Sequence, residues 1–265
     1  MFSLKFITQV LFGTLAIAEI ITPVNITNTT TPTKIGVLLF PGLAAIDIYG
    51  PLEYLTVLSF STNLNLAFIA NSLDPVSTKP IAMNPFNSSF GHSTVPTHTF
   101  ADAPPLDILL VPGGIGSRAP PPALDSAIEF IRTRTPELQY LLTVCTGAGL
   151  AARAGVLDGK FATTNKKAWA ETTALGPNTK WVAKARWVVD GNVWTSSGVT
   201  AGMDLMNAFV GKVWGGDVAK RLSDGIEYTP TSDARVDPFA ELYKLSSAYD
   251  GFVGADGTMD GPEEL

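Results

Sequence analysis

Cys145 is the single cysteine of the chain, and its neighbours set the chemistry it can do. An apolar run, QYLLTV at 139–144, leads into it, and Thr146-Gly147-Ala148-Gly149 leads away. A strand that ends on a nucleophile from which a helix departs is a nucleophile elbow, here with sulfur in place of a hydroxyl. Such a turn crowds the backbone, which glycine and alanine tolerate. The helix N-terminus beyond it favours negative charge, so the arrangement predicts a thiol of lowered pKa and a thiolate nucleophile. The competing reading is an inert cysteine packed in the core. Thiolate attack builds charge on the substrate, and the backbone N–H groups of Gly113, Gly114 and Thr146 are candidates to hold it. The plainer reading of Gly113-Gly114 is a turn.

The two histidines, His92 and His98, both precede the elbow in an irregular stretch and read as exposed loop residues. No histidine follows Cys145, which disfavours a Cys-His dyad and with it peptidase or amidase chemistry. Two histidines and one cysteine without metal-ligand spacing give no zinc site, and no metal is expected. Gly113-Gly114-Ile115-Gly116 runs into Ser117-Arg118-Ala119 and three prolines rather than a helix, so it is no dinucleotide fingerprint and no cofactor is expected. Asp47 lies four residues before Pro51, where it could cap the start of a helix.

The elements that must position these residues alternate. Runs at 34–40 (KIGVLLF), 64–70 (LNLAFIA), 106–111 (LDILLV) and 139–144 read as buried strands. Helices are expected over about 47–58, 124–134, from 146 onward, 168–175 and, as one long helix, 200–222. Asp190-Gly191 between 181–189 and 193–196 predicts a small β-ribbon. Together these give an α/β fold, a doubly wound, mostly parallel sheet flanked by helices.

A modest net charge of -6 with no basic stripe excludes a nucleic-acid footprint. Residues 1–18 carry one cation, Lys5, then an apolar run ending in Ala16-Ile17-Ala18, which reads as a cleaved secretory signal. That run is too short to span a bilayer, so no membrane association is expected after cleavage. The product is expected to be secreted, with Asn25, Asn28 and Asn87 in glycan acceptor patterns. Residues 19–33 form a flexible linker, 34–232 the domain, and 233–265 a C-terminal extension whose acidic end is expected to be mobile.

The blocks FPGLAAIDIYGPLE (40–53), LLVPGGIG (109–116), TVCTGAGLAARAGVLDGKFATT (143–164) and TSSGVTAGMDL (195–205) resemble, in order, those of the ThiJ/PfpI superfamily, which is class I glutamine amidotransferase-like. In particular they resemble its isonitrile hydratase branch, with fungal and bacterial relatives. The resemblance spans roughly 34–228. It implies a flavodoxin-like fold, a homodimer, a small-molecule substrate, and Asp47 as an acidic group lying against the sulfur. Asn165 and Thr200 would line the same pocket or serve as structural hydrogen-bonding residues. Where many relatives read ATTH, this chain reads Ala162-Thr163-Thr164-Asn165. The activity implied is cofactor-free hydration of an isonitrile to an N-substituted formamide. The alternatives are a non-catalytic or redox-responsive protein, and glyoxalase-like action on α-oxoaldehydes.

Overall fold

Apolar segments become parallel strands where helices cover both faces of the sheet, as the near-continuous burial of Ile108–Val111 and Val193–Ser196 shows. The computed structural model describes residues 31–80 and 84–260. Strands β1 (Lys34–Leu38), β2 (Asn65–Ala70), β6 (Ile108–Val111) and β7 (Tyr140–Thr143) pair in parallel, with β11 (Val193–Ser196) beside β7. The seven-stranded sheet runs β10-β11-β7-β6-β1-β2-β5, with β5 (His98–Thr99) and β10 (Trp187–Asp190) at its edges. Among the described strands of this sheet, only the β10–β11 pair is antiparallel. The order β2-β1-β6-β7-β11 is that of a flavodoxin-like fold, and it reverses direction between β1 and β6.

Helix α1 (Ala45–Leu58) follows β1, α2 (Asp125–Arg134) follows β6, and α3 (Gly147–Arg153) follows β7. Helix α4 (Trp169–Thr173) precedes β10, and α5 (Ala201–Trp214) with α6 (Gly216–Gly225) follow β11. Two small residues bring these layers together. A Cβ on Gly50 would lie 2.8 Å from the Met203 side chain of α5, and one on Gly202 would lie 2.8 Å from Val144, so the two glycines let α1 and α5, and α5 and the end of β7, approach closely.

Several expectations are corrected. The single helix over 200–222 is two, because Gly215 takes φ 107, a value that ends α5 and is costly for any residue with a side chain. The expected β-ribbon forms around Asp190-Gly191: Trp187–Asp190 and Val193–Ser196 pair antiparallel as the edge hairpin of the main sheet. Lys180–Trp181 (β9) instead pairs with Phe161–Ala162 (β8). Val76–Ser77 (β3) and Ser93–Thr94 (β4) make a further two-stranded sheet. His98 is in edge strand β5 rather than a loop, whereas His92 is exposed.

The extension beyond 232 is docked through residue 260. Helix α7 (Pro238–Leu242) starts at Asp237, whose carboxylate accepts from the Phe239 amide at 3.0 Å. Trp187 Nε1 donates to Asp256 O at 2.9 Å, and Val189 N to Gly257 O at 2.7 Å, so this part of the extension packs on the sheet edge. The leader 1–18, Asn25 and Asn28 lie outside the described residues. Asn87 is exposed.

Candidate active site around Cys145

The carboxyl ends of β1, β6 and β7 meet where the strand order reverses, the usual ligand position in such sheets. Cys145 sits at the end of β7 with φ 59, a left-handed conformation rare for a residue with a side chain. Two long-range bonds hold it there. Cys145 N donates to Ser197 O at 2.9 Å, and Thr164 Oγ1 donates to Cys145 O at 2.8 Å. Backbone strain of this kind costs about 1–3 kcal/mol and persists only when the surroundings fix it.

Asp47 comes from α1, fully buried. Its capping reading is corrected: the helix begins at Ala45, no side chain caps it, and Asp47 lies in its first turn. Its Oδ2 accepts instead from Gly113 N at 2.9 Å, and its Oδ1 is buried without a hydrogen-bond partner. Burial pushes the carboxyl up to about 7, against the pull of the Gly113 amide and the Cys145 thiol. The thiol, 6 % exposed, is pushed up to about 12, first by burial and then by the neighbouring Asp47 charge. The Thr146 amide, the Asn165 side chain and the Val199 amide oppose that shift without overcoming it. The expected lowered pKa is therefore corrected. The helix N-terminus favours the thiolate, but desolvation is the larger effect, and the resting group is a neutral thiol beside a carboxyl that titrates near neutrality.

The donor assignment also changes. Gly113 N–H is committed to Asp47, and Gly114 N–H donates to Thr146 Oγ1 at 3.0 Å. Ser117 Oγ lies 2.9 Å from the same hydroxyl. Both glycines shape the elbow: a Cβ on Gly113 would lie 2.5 Å from Thr146 N, and Gly114 has φ 132. Their part is to orient Asp47 and Thr146. The donors that face the sulfur are Thr146 N–H, Val199 N–H and Asn165. Asn165 is oriented by Ala168 N, which donates to its Oδ1 at 3.0 Å. Thr200 borders the same cleft, but its hydroxyl accepts from Arg186 Nη2 at 3.2 Å, within a buried pair in which Arg186 Nε meets Asp204 at 2.6 Å.

A cleft of about 240 Å³ opens beside Asn165 and Val199. Ser197, Lys166, Phe239 and Tyr243 also border it, and the sequence reading missed all four. For the last two a signal existed, Asp237-Pro238 as a helix start followed by Phe239-Ala240-Glu241-Leu242-Tyr243. For Val199 none existed, since a backbone amide carries no residue signature. His98 Nδ1 bonds Thr97, and His92 packs on Tyr49 with ring centroids 6.4 Å apart. Among the described residues no cluster of histidine, cysteine and carboxylate has metal-binding spacing, and no helix is long and apolar enough to cross a membrane.

Residues 33–212 match the DJ-1/PfpI family. The isonitrile hydratase of Pseudomonas putida is 34% identical over 197 residues, covering 74% of this chain and 79% of that protein. The HTH-type transcriptional regulator GbdR of Pseudomonas aeruginosa is 28% identical over 141 residues, which span 38% of it. Among solved structures, a ThiJ/PfpI family protein from Pseudomonas syringae superposes with a TM-score of 0.62 at 29% identity, over 75% of this chain and 76% of that one.

Proposed function

The chain belongs to the DJ-1/PfpI family, and on that premise we propose that it is a cofactor-free hydratase of a small electrophile, with an isonitrile as substrate. The observation that carries the reading is the buried Asp47–Cys145 pair, in which a carboxyl pushed up to about 7 adjoins a neutral thiol. The 34% identity to an isonitrile hydratase supports the substrate class.

Chemically, the ionised Asp47 takes the thiol proton as sulfur bonds to the terminal isonitrile carbon. The same carboxyl then delivers that proton to the carbon. The product is a thioimidate, R–N=CH–S, on Cys145. Water adds across C=N, placing hydroxyl on carbon and hydrogen on nitrogen. The C–S bond then breaks as the hydroxyl proton passes to sulfur, and R–NH–CHO leaves. The net reaction is isonitrile plus water to N-substituted formamide, with no oxidant or reductant. Thr146 N–H, Val199 N–H and Asn165 stabilise charge on sulfur while it develops.

In this reading residues 1–18 are a cleaved signal, and the mature protein is exported, works as a homodimer, and binds neither nucleic acid nor membrane. The support is the apolar run ending in Ala16-Ile17-Ala18, the modest charge, and the family resemblance. Asn25, Asn28 and Asn87 are its glycan acceptors.

A second reading, a ligand-binding protein without turnover, is favoured by the thiol's low exposure and its pKa near 12. Those same properties weigh against a redox sensor, because oxidation follows thiolate character and access. The experiment that separates the two is formamide formation from an alkyl or aryl isonitrile by the purified protein. The hydratase reading expects saturable turnover. Formamide at no more than the buffer rate rejects it.

A further inference from the structure

The cleft bordered by Asn165 and Val199, two of the donors to the Cys145 sulfur, has a floor and a wall of different origin. Its floor belongs to the domain: Asn165 and Val199 reach the sulfur, and Ser197 Oγ is buried there without a hydrogen-bond partner. Its wall comes from the C-terminal extension, outside the segment 33–212 that matches the family. Phe239 and Tyr243, one helical turn apart, border the cleft while remaining 44 % and 42 % exposed. Two large apolar side chains left half open to a concavity that shares two donors with the sulfur are a surface that an organic group can cover.

The wall is held firmly. Lys166, the residue after Asn165, has its ammonium 3.5 Å from Asp237, both side chains being almost wholly buried. The ammonium also donates to Thr163 Oγ1 at 2.6 Å and Ala185 O at 2.9 Å, and it lies 5.1 Å from the centroid of the Trp169 ring. Asp237 in turn caps α7. The residue next to the sulfur's side-chain donor therefore pins the helix that carries Phe239, which fixes wall and donor relative to each other.

We propose that residues 237–243 form a specificity wall in which Phe239 and Tyr243 pack on the aromatic or branched substituent of the electrophile whose reactive carbon meets Cys145. This rests on the hydratase reading for the reaction but not for the cleft, and two readouts keep them apart. The first is kcat/KM for phenyl isonitrile over that for methyl isonitrile, in the wild type, Phe239→Ala, Tyr243→Ala and the double variant. The second, independent of turnover, is the rate of Cys145 alkylation by N-phenyl iodoacetamide over that by iodoacetamide, read by mass spectrometry. Phe239→Leu and Tyr243→Leu repeat both measurements with the packing volume largely kept.

Each aryl-to-small ratio is expected to fall at least tenfold in the double alanine variant. A fall in the alkylation ratio without isonitrile turnover in any variant upholds the wall and rejects the reaction. An alkylation ratio that stays constant or rises overturns the wall, as does a folded wild type whose Cys145 neither reagent reaches.

Discussion

At the scale of single residues, the Asp47–Cys145 pair links activity, stability and pH. Burial raises the Asp47 carboxyl from 3.8 to about 7, so the fold favours its neutral form. The contribution of this group to stability is therefore complete below pH ~4 and is lost as pH rises through about 7. At about 1.4 kcal/mol per pKa unit it amounts to a few kcal/mol at most. Asp47→Asn keeps an oxygen for Gly113 N–H and removes the charge. Melting of the variant and the wild type should nearly coincide at pH ~4, the variant becoming the more stable by pH ~8. A gap between them that does not change with pH would contradict the assignment. In the proposed reaction the same substitution removes the base that takes the thiol proton, so kcat should fall roughly 10²–10⁴-fold. The rise of wild-type kcat/KM with pH near 7 should vanish with it. The raised thiol itself was hidden in the sequence. The small residues after Cys145 announce the turn and the helix, but desolvation depends on Asp47 and on chain far away, and it reversed the sign of the expected shift.

Secondary-structure elements were legible wherever burial is two-sided. KIGVLLF, LDILLV and QYLLTV are strands because helices cover both faces of the sheet, and a continuous apolar run signals that locally. The α5–α6 break was missed although Gly215-Gly216 marked it, because apolar spacing continues across while the backbone reverses at φ 107. The partner of 180–181 and the docking of the extension were not legible, since they depend on long-range contacts such as Lys166–Asp237. That pair makes its own prediction. Lys166→Met leaves Asp237 buried without its counter-charge and should cost about 3–5 kcal/mol in chemical denaturation. Removing both charges with Lys166→Met and Asp237→Leu should recover much of the loss. Hydrogen exchange should accelerate first in 233–249, with the sheet core still protected. Uniform acceleration across the chain would show that the pair supports the whole fold rather than the wall.

At the scale of the whole molecule, the flavodoxin-like sheet brings Asp47, Gly113 and Cys145 together from the ends of three neighbouring strands. The C-terminal extension closes one side of the cleft bordered by Asn165 and Val199. In the proposed reaction the sheet supplies the Asp47–Cys145 pair, and in the proposed wall the extension supplies the surface that distinguishes substrates. The proposed reaction requires that the Cys145 sulfur form a bond during turnover. The direct measurement is rapid acid quench of the protein turning over an isonitrile, followed by intact and peptide mass analysis beside Cys145→Ala. The wild type should gain the mass of one isonitrile on the peptide containing Cys145, and the variant should show neither the adduct nor formamide above the buffer rate. Formamide produced by Cys145→Ala at the wild-type rate would contradict the role assigned to the thiol.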